Sequence, residues 1–331
     1  MNASFRSSPS VLTAAALALL TASASATVVT VPSVTNSSTA FNASFVPANL
    51  FDGLPTEYAS QGTGAGTFVD MDFGASVPMN RMAFMTRANT VDVVGTTRLT
   101  LSNDPTFTTG NTVFTFNPSG SNAQAPILSF ATTIARFARW EALTSTGTSP
   151  NLGGRELRFL STPAGSVIRP STAYNSATQF SPQFATANAA NGDAGQGVGS
   201  GVEYASAGQG TNTFVDFDLG AIVGVTGFDF FDRIATVDRT TAFDLIFDDD
   251  SSTFASPVAT LSFTPGGAGW GFSGNFSAVN ARYVRLDATA VAAVNNNAGV
   301  QEMIFYAVPE PSSLLLAGLA GALTLTRRRR L

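Results

Sequence analysis

The chain contains no cysteine, no histidine and no lysine, so its 17 basic residues are all arginine. Without cysteine there is no disulfide framework, and any domain must be held by its own apolar core. Without histidine there is no Ser-His-Asp triad and no His-ligated zinc; without cysteine or lysine there is no thiol nucleophile and no Schiff base. Carboxylate chemistry, as in a glycosidase or lyase, is what remains open to an enzyme, and no pair of acids stands out for that work. Charge is scarce too, at 12% of residues. The composition is instead rich in Phe, Val, Thr, Ser, Asn and Gly, which suits β-sheets joined by polar loops.

Both ends read as addresses. Arg6 precedes an apolar stretch from Val11 to Leu20, and the segment closes on Ala24-Ser25-Ala26. That is the layout of a secretory signal peptide over residues 1–26, with cleavage expected before Thr27. The competing reading, a core helix, fits less well because the stretch is too uniform for an amphipathic face. At the other end, residues 308–331, Pro309-Glu310-Pro311 precedes an apolar run from Ser312 to Thr326 and then Arg327, Arg328, Arg329 and Arg330. As one transmembrane helix the run would reach about 22 Å, short of the roughly 30 Å hydrocarbon core. It would span with local thinning or with its arginines reaching to the headgroups. The arginine cluster would keep that end in the cytoplasm and leave the body outside. Without its two ends the body carries a charge of about −9, which argues against nucleic acid or anionic membrane as a partner and favours cations.

The tail, with Pro-Glu-Pro, apolar run and arginine cluster in that order, resembles the PEP-CTERM sorting signal of Gram-negative bacteria. The resemblance implies an exosortase-type processing enzyme as partner, an intermediate anchored in the inner membrane, and delivery to the cell surface or an exopolysaccharide matrix. An ordinary single-span anchor is the alternative; it changes the processing and not the topology.

Self-similarity divides the body in two. Glu57-Tyr58-Ala59-Ser60 returns as Glu203-Tyr204-Ala205-Ser206, and Thr67-Phe68-Val69-Asp70-Met71-Asp72-Phe73-Gly74 returns as Thr213-Phe214-Val215-Asp216-Phe217-Asp218-Leu219-Gly220. The same displacement carries Arg87 and Asp92 to Arg233 and Asp238, Ala135-Arg136-Phe137-Ala138-Arg139 to Ala281-Arg282-Tyr283-Val284-Arg285, and Glu156 to Glu302. Upstream, Thr39-Ala40-Phe41-Asn42 matches Thr172-Ala173-Tyr174-Asn175 at a shorter displacement, so the second copy carries extra residues, placed in the Gly-rich stretch Asn191 to Gly201. Thr162 to Ser166 reads as the linker between domains at 27–161 and 166–307. Within each copy apolar residues alternate with polar ones, as Val69, Met71 and Phe73 do with Asp70 and Asp72. A period of two marks half-buried strands, and about six or seven per copy without a 3.6-residue segment predicts an all-β protein of two tandem antiparallel β-sandwich, jelly-roll domains.

The order of these signals resembles the discoidin, or coagulation factor 5/8 type C, family of galactose-binding-like jelly rolls. Asp52-Gly53, Met71-Asp72-Phe73-Gly74, Ser102-Asn103-Asp104, the Ala135 to Arg139 strand and Glu156-Leu157-Arg158-Phe159 occupy the family's successive motif places. Phe217-Asp218-Leu219-Gly220, the Ala281 to Arg285 strand and Glu302-Met303-Ile304-Phe305 do so in the second copy, where Asn191-Gly192-Asp193 loosely replaces the Asp-Gly loop. The family's disulfide and the histidine frequent in its sugar sites are absent here. The resemblance implies carbohydrate binding and a structural calcium between the Asp-Gly loop and the final-strand glutamate, which nominates Asp52 with Glu156 and Asp193 with Glu302. Backbone carbonyls would have to supply most of the six to eight oxygens calcium takes. An Asp turn beside a solvated glutamate is the plainer reading.

Four further features bear on a site. Arg87 with Asp92, and Arg233 with Asp238, either line a binding groove or pin a loop as ion pairs, and pinning is the favoured reading. Trp140 shares its side of a strand with Ala138 and matches Leu286, which reads as core. Trp270, inside Gly266-Gly267-Ala268-Gly269-Trp270-Gly271, sits in loop composition and is the better sugar-stacking candidate. Asp248-Asp249-Asp250 lacks EF-hand spacing and reads as a solvated hairpin with weak cation affinity at most. The sequence therefore predicts a non-enzymatic surface or matrix protein binding carbohydrate or exopolysaccharide, with a purely structural matrix protein as its near rival.

Overall fold

The computed structural model describes residues 32–54, 56–118, 125–163, 165–195, 203–233, 237–265, 271–292 and 294–309. The expected signal peptide and transmembrane run lie outside these residues, as do Trp270, Glu310, Pro311 and the four terminal arginines. Among the described residues no helix is long and apolar enough to cross a membrane.

Eight strands form the first half: β1 (Ser33–Ser37), β2 (Tyr58–Ala59), β3 (Phe68–Met85), β4 (Val94–Ser102), β5 (Thr112–Phe116), β6 (Ile127–Ser145), β7 (Gly153–Gly154) and β8 (Glu156–Leu160). Nine form the second: β9 (Val167–Arg169), β10 (Thr172–Ser176), β11 (Tyr204–Ala205), β12 (Phe214–Phe231), β13 (Thr240–Asp248), β14 (Ala259–Phe263), β15 (Phe272–Val291), β16 (Gly299–Val300) and β17 (Glu302–Ala307). The main sheet of the first half runs β1-β3-β6-β4-β5 with β8 also on β3. The second repeats this pattern, with β10 and β17 on β12, then β15, β13 and β14, and adds β9 at the β17 edge. All these pairs are antiparallel, and the sheets fold over as sandwiches.

There are more strands than the alternation predicts because β2, β7, β11 and β16 have two residues each, too few to show a period. The central strands are also longer, at 18 to 20 residues, because bulges let one strand serve two partners in succession. In β3 the register shifts between Asp72 and Val77. Gly74 there takes φ +77°, a left-handed conformation costly for any residue with a Cβ, and Gly220 takes φ +78° at the matching bend of β12.

Each half encloses its own core. Trp140, Phe84, Tyr58, Met71 and Leu99 are fully buried in the first, and a cluster rich in phenylalanine, including Phe217, Phe228, Phe230 and Phe243, fills the second. The Trp140 ring lies tilted against Phe84 with the centroids 4.9 Å apart, which places it in the core as its sequence neighbours predict. Each such side chain contributes on the order of 1.5–3 kcal/mol by burial. Gly153 and Gly299 allow the closest backbone approaches, since a Cβ would stand 2.0 Å from the carbonyl oxygen of Tyr58 or of Tyr204.

A third apolar cluster joins the halves: Ala83, Met85 and Leu160 from β3 and β8 meet Phe231, Ile304 and Tyr306 from β12 and β17. Inside this seam Arg81 donates to Asp229 at 3.1 Å, both side chains being at most 5% exposed, and the Tyr306 hydroxyl bonds to the same pair. Arg239 of the second half donates to the Gly53 carbonyl of the first at 2.8 Å.

Candidate functional site

The Asp-Gly loop of the first half follows a 3-10 turn, Pro47–Phe51, that buries Leu50 and Phe51 and so fixes where the loop leaves the core. Asp52 accepts the Leu54 amide at 2.8 Å and the Thr56 hydroxyl at 2.5 Å, and Gly53 turns the chain at φ +67°. Glu156, the first residue of β8, is completely buried; its carboxyl oxygens make no close hydrogen bond, although the Gly53 amide and the Asp52 carboxyl lie near enough to act on its charge. Burial pushes its pKa up to about 8; Arg158 pulls it down and the neighbouring Asp52 carboxylate pushes it further up. The fold thus brings Asp52 and Glu156 together.

In the second half a 3-10 turn, Thr186–Ala190, leads into Asn191-Gly192-Asp193, with Gly192 at φ +81°. Glu302 lies under this loop, and its Oε2 accepts the amides of Asn191 and Gly192, both at 2.9 Å. Burial raises its pKa well above the usual carboxylate range, and the Asp193 charge adds to that. Asp193 accepts the Gly195 amide and, across the seam, the Ala125 amide, each at 2.8 Å. The pairs therefore differ. Asp52 and Glu156 offer neighbouring carboxyl oxygens, those of Glu156 without a close hydrogen bond, of the kind a hard divalent cation takes; in Asp193 and Glu302 amides already hold one oxygen of each acid.

Arg87 and Arg233 are each 7% exposed. The Arg87 guanidinium binds Glu57 at 2.9 Å, Asp92 by a short contact and the Asn151 carbonyl at 3.0 Å. Arg233 binds Glu203 at 3.0 Å, Asp238 at 3.3 Å and the Asn297 carbonyl. This is the geometry of a loop pin, with no guanidinium edge left open in a groove. Sequence reading missed the glutamates in these knots, although Glu57 and Glu203 recur at the same displacement as the arginines.

A second recurrent network also went unread. Arg136 forks onto Asp72 with two bonds of 2.9 Å, and Arg139 onto Asp70 at 2.6 and 2.8 Å. Arg282 with Asp218 and Arg285 with Asp216 repeat both forks. These hydrogen bonds lower the pKa of Asp72 and Asp218 and raise that of the partner arginines. Two of the motifs in the sequence resemblance are thus cross-strand partners that hold β3 to β6 and β12 to β15.

The acidic turn departs from its expected solvated state, because Asp248 closes β13 and is wholly buried. Near the seam a cleft of about 290 Å³ is lined by Arg81, Ile127, Arg169 and Glu302 among others. Pro309 is exposed at the end of the described chain.

Comparison with known proteins bears first on the tail. Residues 307–330 match the PEP-CTERM protein-sorting motif. The chain thus carries a signal for exosortase-dependent export to the cell surface, and the motif covers Pro309, Glu310, Pro311 and Arg327 to Arg330. A domain of unknown function (DUF7402) matches residues 168–306, from within β9 to within β17. No curated protein matches. Similar solved structures include a fucolectin from striped bass (Morone saxatilis) serum, at 11% identity over 86% of this chain and 99% of that one, TM-score 0.34. Others are chitosan-binding module 1 of a chitosanase/glucanase from Paenibacillus sp. IK-5, at 19% over 40% and 97%, TM-score 0.34, and the CBM32-1 and CBM32-2 domains of Clostridium perfringens ZmpB with GalNAc, at 10% over 86% and 92%, TM-score 0.36. At these scores the likenesses define neither the fold nor a site.

Proposed function

We propose that the chain is an exported, non-enzymatic protein of a Gram-negative cell surface or extracellular matrix that binds carbohydrate, with the cell's own exopolysaccharide as the natural ligand. The sorting motif at 307–330 supports the route, through a membrane-anchored intermediate that an exosortase-type enzyme processes. The sugar-binding half rests on the discoidin-like motif order. The observation that carries it furthest is Glu156, a buried acid beside the Asp52 loop whose oxygens make no close hydrogen bond.

In this reading Asp52 and Glu156 hold a calcium ion that stiffens the loop end of the first domain (27–161). Asp193 and Glu302 hold a weaker one in the second (166–307), since amides already occupy part of that set. Calcium supplies charge neutralisation and a fixed loop geometry; Asp52 orients its loop through Leu54 and Thr56. Trp270 is the proposed stacking platform for a sugar ring. Retention on immobilised acidic or neutral polysaccharide tests this. Wild-type chain is retained and Trp270→Ala is not; retention of neither sinks the sugar-binding reading.

One observation favours the rival, a matrix protein whose sandwiches only tile the surface. Arg87 and Arg233, the groove arginines of the binding reading, are enclosed in ion pairs and serve as loop pins.

A further inference from the structure

We propose that the turn Asp248-Asp249-Asp250, where β13 ends, is a divalent-cation site separate from the Asp52/Glu156 and Asp193/Glu302 loops. One carboxylate oxygen from each of the three acids lies within 4.8 Å of the other two. That is the widest spacing two oxygens can have when both stand about 2.4 Å from one calcium ion.

Proximity of acids alone would mean little, but Asp248 adds a second observation. It is 0% exposed; its Oδ1 accepts the amides of Asp250 at 3.1 Å and Ser251 at 2.9 Å, and its Oδ2 is buried with no partner. None of the three acids has an ion pair among the described residues. An unpaired buried carboxylate is costly unless a cation or proton meets it. A calcium centre stands closer to its ligand oxygen than a water does, about 2.4 Å against about 2.8 Å, so an oxygen closed to water can still be a ligand.

The first half supplies an internal control. Ser102 ends β4 opposite Phe137 as Asp248 ends β13 opposite Tyr283, and both following turns place a phenylalanine, Phe107 and Phe254, at φ 55°. In the first turn a single acid, Asp104, accepts the hydroxyls and amides of Thr106, Thr108 and Thr109 and is satisfied by the protein itself. In the second, the acids are three and the hydroxyls of Ser251 and Thr253 bond to each other. The same backbone turn therefore forms without the acid cluster, and in the cluster only the Asp250 and Ser251 amides, both on Asp248 Oδ1, take the place of the six donors on Asp104.

Asp249 is half-buried and Asp250 exposed, so a bound ion would keep coordination positions toward solvent. Such an open set fits the weak range of extracellular calcium modules, about 10⁻⁴–10⁻³ M. Those outward positions would also accept an anionic oxygen of another molecule.

The test uses terbium as a calcium substitute. Tyr174 donates its hydroxyl to the Ser252 carbonyl at 3.2 Å, in the same turn, and so stands where it can sensitise terbium emission. The proposal expects tyrosine-sensitised luminescence that calcium displaces. It should fall at least about ten-fold in Asp249→Asn/Asp250→Asn, which leaves the Asp248 turn bonds in place, while the melting curve in chelator is unchanged. Luminescence should persist in Glu156→Gln/Glu302→Gln. Equal luminescence and an equal number of calcium ions by calorimetry in wild type and Asp249→Asn/Asp250→Asn would overturn the proposal. So would loss of the signal in Glu156→Gln/Glu302→Gln with the fold intact.

Discussion

Replacing Arg81 by methionine tests whether the seam joins the two halves into one cooperative unit. Arg81 and Asp229 are almost fully buried and paired at 3.1 Å, with Tyr306 and Ser273 completing the cluster. Burial alone pushes the Asp229 pKa up and the Arg81 pKa down, and each partner's charge opposes that shift in the other. Removing one charge leaves the other buried without compensation, which costs about 3–5 kcal/mol. For a unit of this size each kcal/mol corresponds to roughly 2–4 °C in Tm, so the loss should exceed about 6 °C. The double substitution Arg81→Met/Asp229→Asn removes both charges and should recover much of the loss. Urea and thermal unfolding of the three chains measure this. If Arg81→Met unfolds within about 0.5 kcal/mol of wild type, the seam is not a load shared by the halves.

Two more perturbations follow from particular contacts. Asp232 is buried at the end of β12 with its Oδ1 on the Arg233 and Thr240 amides, and burial pushes its pKa up to about 8. Its folded form holds a proton that the unfolded form releases near pH 4, so its share of stability is greatest in acid and falls as pH rises from about 4 to 8, by up to about 5 kcal/mol. Asp232→Asn should flatten that fall in urea titrations across the range; an unchanged slope would refute the assignment. Gly153→Ala and Gly299→Ala each drive a Cβ into a backbone carbonyl at 2.0 Å. Both should lower Tm sharply in thermal melts, and a wild-type melt from either would contradict the β2–β7 or β11–β16 pairing.

What the sequence discloses and what it hides follow one division. Features present in both halves were legible where they show as a pattern: the strand period and the Arg87 and Arg233 pins recur at a fixed displacement, whereas Gly74 and Gly220 recur too but their bulge shows only in the backbone. The partners in those networks were harder, because Asp70 and Arg139 lie 69 positions apart and meet only once β3 pairs with β6. The seam was invisible for the opposite reason. Arg81 corresponds to Gly227 and Asp229 to Ala83, so the residues that join the halves are those at which the halves differ, and repetition cannot reveal them. Asp248 was misjudged because three adjacent acids in a turn suggest solvent, whereas β13 carries the first of them into the interior.

The most direct measurement is glycan-array binding by the chain freed of its two terminal segments, read once with calcium and once with chelator. The account predicts binding to a defined sugar class that needs calcium and weakens in Glu156→Gln. A folded sample that binds no glycan in either buffer would contradict it and leave the tiling role.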